Sequence, residues 1–110
     1  MALIRPTNIG LVRTWELADT DISSATASDT ACEGLHSFNG VIFVITSGTV
    51  LMTVQVQESP DNVNWVVTDE QEITGNACYR IAHPFFYLRV VVSSYTSGTI
   101  TSIPIAGQVQ

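Results

Sequence analysis

"VLMTVQVQ", Val50 to Gln57, decides the fold, because Val50, Met52, Val54 and Val56 alternate with Leu51, Thr53, Gln55 and Gln57. Successive side chains of a β-strand point to opposite faces, so this two-residue period predicts a half-buried strand with its Val/Met face inward. The residues that follow, "ESPDN" (58–62), predict a corner. Pro60 pre-sets the φ of the first central turn position, Asp61 suits the second, and Asn62 tolerates the left-handed conformation that redirects the chain. The return strand then places Trp65 and Val67 on the core side, with Asn64, Val66 and Thr68 outward.

The same signals recur on either side. Upstream, "VIFVIT" (41–46) is apolar on both faces, as in a strand covered on two sides. Asn39-Gly40, a strong tight-turn dipeptide, precedes it, and "TSGT" (46–49) is expected to turn it into 50–57. "LVRTWEL" (11–17) reads as a first strand, followed by "ADTDISSATASDTA" (18–31), a long acidic loop of a kind that tends to be functional or mobile. Downstream, acidic "TDEQEITGN" (68–76) leads to a short strand at 77–81, and His83-Pro84 interrupts pairing. In "FFYLRVVV" (85–92), Phe86, Leu88, Val90 and Val92 form an inward face, leaving Phe85, Tyr87, Arg89 and Val91 on a second face too apolar for bare water. A second "TSGT" (96–99) turns the chain into 99–105, where Pro104 argues for a sheet edge or a strand end.

Val and Thr are the two commonest residues and Lys is absent, a bias that suits pleated surfaces and crowds helices. Short strands punctuated by Gly, Pro and Asn predict an all-β, single-domain antiparallel β-sandwich or jelly roll of about 7 to 8 strands at 10–110, preceded by an extended N-terminal arm at 1–9. Pro6 keeps Arg5 out of the helical region, which favours that extended start. Ten carboxylates against four arginines give a net charge of −6, which repels nucleic-acid phosphates and anionic membranes, so neither is an expected partner. The N-terminus lacks the apolar core of a signal peptide and no stretch has the length of a membrane span, so synthesis in a host cytoplasm is expected. Cys32 and Cys78 lack CxxC spacing; two free, buried thiols are expected, with a bridge as the alternative.

Catalytic patterns are thin. His36 and His83 have no partner at metal-ligand spacing and read as core or turn residues. Asp19, Asp21 and Asp29 could offer oxygens to a calcium ion, yet the spacing lacks the bidentate Glu and central Gly of an EF-hand, and a solvated acidic loop is expected. GxSxG, GxxxxGK[ST] and GxGxxG are missing from the sequence. The expectation is therefore a non-enzyme with no cofactor and no metal. A lone sandwich of this size has little apolar burial to spare, so self-association would both stabilise the chain and cover the Phe85, Tyr87, Arg89 and Val91 face.

The run from "VQVQESPDNVNW" to "FFYLRVVVSSYTSGTIT" resembles small β-sandwich virion proteins of tailed bacteriophages, and more weakly the discoidin-like, galactose-binding sandwiches. It spans residues 41–105, with Asn62 where that pattern usually has Gly. The phage resemblance implies a capsid decoration or cement protein at the virion surface, a homotrimer seated on the major capsid protein. Its contacts would come from Leu3, Ile4 and Arg5 of the arm and from Phe85, Tyr87, Arg89 and Val91. The alternative is a tail, neck or fibre component whose loops bind a receptor or glycan, with Asn62, Asn64 and Trp65 as the glycan site and Trp15, Arg80 and Tyr95 as further loop candidates.

Overall fold

The computed structural model describes residues 12–32, 38–82 and 87–109, with side chains placed at 16–30, 40–81 and 87–107. The described residues contain no helix and form seven strands: β1 Val12–Glu16, β2 Ala31–Cys32, β3 Phe38–Ser59, β4 Val66–Ile73, β5 Ala77–Ala82, β6 Tyr87–Ser102 and β7 Pro104–Val109. All pairings between them are antiparallel.

The pairing reduces to four runs lying side by side. β3 is the central spine, with β7 and then β6 along one flank and β5 and then β4 along the other. Residues 12–32 run antiparallel down the far side of β7 and β6, through β1, the single bridges Ile22↔Ile100 and Ala27↔Val91, and β2. The two outermost runs, 12–32 and 66–82, are thus the free edges of the sheet among the described residues.

Buried side chains from both ends of the spine meet in a single core. Val50, Met52, Val54 and Val56 turn inward as the alternation requires, and Leu88, Val90 and Val92 of β6 do the same. Ile42 and Val44 from the first part of β3 join them, with Ile100, Ile103, Ile105, Tyr79, Ile81 and Ile73. Each fully buried aliphatic side chain stabilises the fold by about 1.5–3 kcal/mol.

Several expectations are corrected here. Asn39-Gly40 makes no turn: both residues lie inside β3, paired with β5 on one side and β7 on the other. Gly40 stands opposite Gly107, where two backbones without side chains pair closely. The two TSGT stretches are not strand ends either. They lie across from each other where β3 and β6 bend together: Ser47 pairs with Thr99 and Leu51 with Ser97, so residues 48–50 bulge opposite Gly98. Gly48 (φ 80°) and Gly98 (φ 97°) take the left-handed backbone that L side chains resist. A Cβ on Gly98 would lie 2.8 Å from the Val50 Cα. The strands expected at 41–46 and 50–57 are therefore one bent strand, and residues 87–92 form one bent strand with the first part of the strand expected at 99–105, whose remainder opens β7. Only one face of 41–46 is buried, since Phe43 is 39% exposed. Pro104 opens β7, an inner run, at the first residue, where its missing N–H breaks no ladder bond with β3.

The acidic loop is also more ordered than its composition suggests. Ile22 is buried and exchanges backbone hydrogen bonds of 2.9 and 2.8 Å with Ile100. Ser28 satisfies both backbone groups of Val90, donating its N–H to the carbonyl (2.8 Å) and accepting the Val90 N–H on Oγ (2.9 Å). Small residues let this segment sit against the edge of β6 and shield it. Glu16 fixes the other end: its carboxylate accepts the backbone N–H groups of Ala18 (3.1 Å) and Ile103 (2.6 Å) and the Ser102 hydroxyl (2.7 Å), pinning β1 to the β6–β7 junction.

Candidate functional site

The corner read from "SPDN" builds the surface on which the candidate residues meet. Ser59, at the end of β3, is fully buried; its Oγ accepts the N–H groups of Asp61 (3.2 Å) and Asn62 (2.9 Å) and donates to Asp61 Oδ1 (3.0 Å). Asp61 accepts the backbone N–H groups of Asn64 (2.8 Å) and Val63 (2.9 Å) and the Asn64 side-chain amide (2.6 Å). These donors hold the Asp61 carboxyl far below the usual carboxylate range, the Asn64 and Val63 backbone bonds first. Asn62 takes the expected left-handed conformation, φ 61°.

The corner delivers Trp65 onto β6. Its ring, half-buried, lies under the Arg89 guanidinium, whose central carbon is 4.0 Å from the ring centroid. Arg89 Nε donates to Gln57 Oε1 (2.9 Å), Gln57 Nε2 to Gln55 Oε1 (2.8 Å), and Gln55 Nε2 to Glu70 Oε2 (2.5 Å). Register explains the chain of contacts: Gln57 stands opposite Arg89, Gln55 opposite Glu70, and the two glutamines share the outer face of β3. A cation and a carboxylate are thereby joined by two amides across three strands. Beside them Val63, Val66 and Val67 are 77%, 53% and 46% exposed.

Two separately expected sites are thus brought together, since Trp65 and Arg89 touch. Tyr87 and Val91 flank Arg89 on the same half-buried face. Asn62 and Asn64 serve the turn itself, and Tyr95 donates its hydroxyl to the Gly98 carbonyl (2.8 Å), away from this corner. Arg80 is exposed on β5. Leu3, Ile4, Arg5, Phe85, Phe86, His36 and His83 lie outside the described residues, and of Trp15 and Cys32 only the backbone is described. Val67 was expected inward and is exposed: a bulge at Thr68, whose hydroxyl donates to the Val56 carbonyl (3.3 Å), shifts the alternation of β4. Cys78 is free, as expected, but exposed rather than buried. Gln55, Gln57 and Glu70 were not singled out from sequence; their significance depends on cross-strand register.

Asp19, Asp21 and Asp29 are exposed, and no group of three or more His, Cys, Asp or Glu side chains among the described residues is placed to hold a metal ion. The Tyr79 hydroxyl is buried with no hydrogen-bond partner among the described residues, and burial, with the nearby charges of Asp69 and Cys78, pushes its pKa up to about 12.

Fold and surface together define an all-β, antiparallel protein with an amide-linked aromatic corner. The chain belongs to the DUF6385 family, a domain of unknown function, whose profile matches residues 37–110. Among solved structures it is similar to PirA, at 14% identity over 94% of this chain and 96% of that one, with a TM-score of 0.46. It is also similar to a chain from Bacillus endospore appendages, described as a novel family of disulfide-linked pili, at 8% identity over 99% of this chain and 97% of that one, with a TM-score of 0.50. At such identities the likeness concerns the fold alone. A search of curated proteins gives no match.

Proposed function

We propose that this protein is a non-catalytic structural subunit that docks on a protein lattice, as a virion decoration protein seated on a major capsid protein. In this reading its two ends stack as a β-sandwich of jelly-roll type, and copies associate, with a trimer as the expected state. The observation that carries it is the exposed apolar content of the corner: Val63, Val66 and Val67, which flank Trp65 in the chain, are exposed, with Val67 on the face that also carries Gln57 and Arg89. Contiguous apolar groups rimmed by polar ones are the usual mark of a protein-contact surface, because burying them drives association. Tyr87, Arg89 and Val91 extend that surface across β6. The glycan reading is less well supported, because Arg89 covers one face of Trp65 and Asp61 occupies the Asn64 amide.

Co-sedimentation with capsids assembled from a major capsid protein found in its gene neighbourhood, together with light scattering of the free protein, tests the proposal. Wild-type protein should pellet with capsids, and Val67→Asp should not, at an unchanged melting temperature. A strictly monomeric protein that ignores capsids would refute it. A second reading, an appendage subunit, is favoured by the free, exposed Cys78 on the outermost run together with the fold likeness to disulfide-linked pili. It predicts a ladder of covalent oligomers on non-reducing electrophoresis that Cys78→Ser abolishes.

A further inference from the structure

The edge formed by β4 has an unusual combination of features. It is hydrogen-bonded to β3 on one side and unpaired on the other among the described residues, and every residue from Val66 to Glu72 is exposed. An unpaired row of backbone donors and acceptors is a template for another strand. Three of its residues, Asp69, Glu70 and Glu72, are carboxylates, and it carries no cation. Glu70 is engaged by a neutral amide, which does not cancel its charge.

These charges exclude one occupant and favour another. The other free edge of the sheet, 12–32, carries Glu16, Asp19, Asp21 and Asp29 against the lone Arg13, and the whole chain has a net charge of −6 without a single lysine. A second copy laid along β4 by either edge would set carboxylates against carboxylates, which destabilises cross-strand pairs. A strand serving only to repel copies would have no use for the adjacent exposed pair Val66 and Val67. We infer that the free edge of β4 accepts an extended, cationic segment of a partner protein as an added strand. Glu70 and Glu72, two positions apart, share a face and select cations at alternate positions of that segment; Val67, brought onto the same face by the bulge at Thr68, selects an apolar residue at its other end. The inference rests on the docking reading above and specifies the partner's chemistry.

Fluorescence anisotropy tests it with a labelled decapeptide that alternates arginine with valine and threonine, beside a control in which two of the uncharged residues are proline. The parent peptide should bind, weaken as ionic strength rises from about 0.05 to 0.15 M, and lose about five- to tenfold in affinity for E70Q/E72Q, on the scale of two exposed ion pairs. E72Q alone, which leaves the Gln55–Glu70 contact in place, should show part of that loss at an unchanged melting temperature. The proline control should bind at least about tenfold more weakly, since proline cannot donate to a ladder. Equal binding of both peptides would reduce the effect to non-specific charge attraction and overturn the inference. So would the absence of any binding, which would leave the carboxylates as guards against self-pairing. Wild-type protein that co-sediments with capsids but ignores the peptide sinks this inference alone; protein that binds the peptide but ignores capsids sinks the capsid reading and leaves the cationic strand standing.

Discussion

Gly98 and Gly48 share a left-handed backbone but not a neighbourhood. A methyl group on Gly98 meets Val50 at 2.8 Å, whereas nothing lies within 4 Å of a Cβ on Gly48. Gly48→Ala should lose only the cost of a positive φ, about 1–2 kcal/mol. Gly98→Ala should lose more, about 3 kcal/mol or above, because a backbone clash adds to the strain. Urea titration of the two variants checks the order. Tyr79 offers the opposite case. Its hydroxyl is buried without a partner, and such groups cost about 1–3 kcal/mol, so Tyr79→Phe should leave stability unchanged or raise the melting temperature. The pH dependence has a definite sign. With the folded pKa raised from 10.0 to about 12, the folded state holds its proton longer, so stability is intact below pH 10 and falls as pH rises toward 12. Spectrophotometric titration should show a late-titrating tyrosine signal that is lost in Tyr79→Phe.

At the scale of elements, the Trp65–Arg89 contact ties the β3–β4 corner to β6. A double-mutant cycle with Trp65→Leu and Arg89→Met should return a coupling of about 0.5–1 kcal/mol, the usual value for a solvent-accessible cation over a ring. A coupling of zero would mean that the corner is held by its own turn alone. Two carboxylates make the elements acid-sensitive. Burial raises the Glu16 pKa, but its bonds from Ile103, Ser102 and Ala18 outweigh this and leave it below 4.5; Asp61 is held lower by Asn64 and Val63. Both contributions are complete above their ordinary values, 4.5 and 3.8, and are lost as pH falls below them. Thermal melts between pH 5 and 2 should show this loss, flattened in Glu16→Gln/Asp61→Asn.

Across the whole molecule, the inward stripes at 50–56 and 88–92 and the left-handed Asn62 were legible because strand alternation and turn chemistry are local. The long bent strands were not. Asn-Gly and Ser-Gly mark turns only when the chain must reverse; with partners on both flanks the same residues absorb a bulge or a close backbone approach, and no local signal separates the two cases. The pairing of 22–28 with β6, and the link from Arg89 through Gln57 and Gln55 to Glu70, require a register set by residues far apart in the chain. Global charge adds a further expectation. The sequence pI is about 4.4, so electrostatic repulsion between copies disappears near that pH. Light scattering should rise there and subside toward neutrality; association that is indifferent to pH would mean that contacts between copies avoid the acidic edges.

The spine passes from one ladder to the other without a break, and Val44 and Met52, both buried, lie on either side of its bend. Neither end can therefore melt by itself: loosening the pairing of β5 and β7 drags the β4 and β6 register with it. Native-state hydrogen exchange should find the slowest amides at both ends opening with a common free energy, and a chain cleaved between Gly48 and Thr49 should lose order throughout rather than leave half a protein intact.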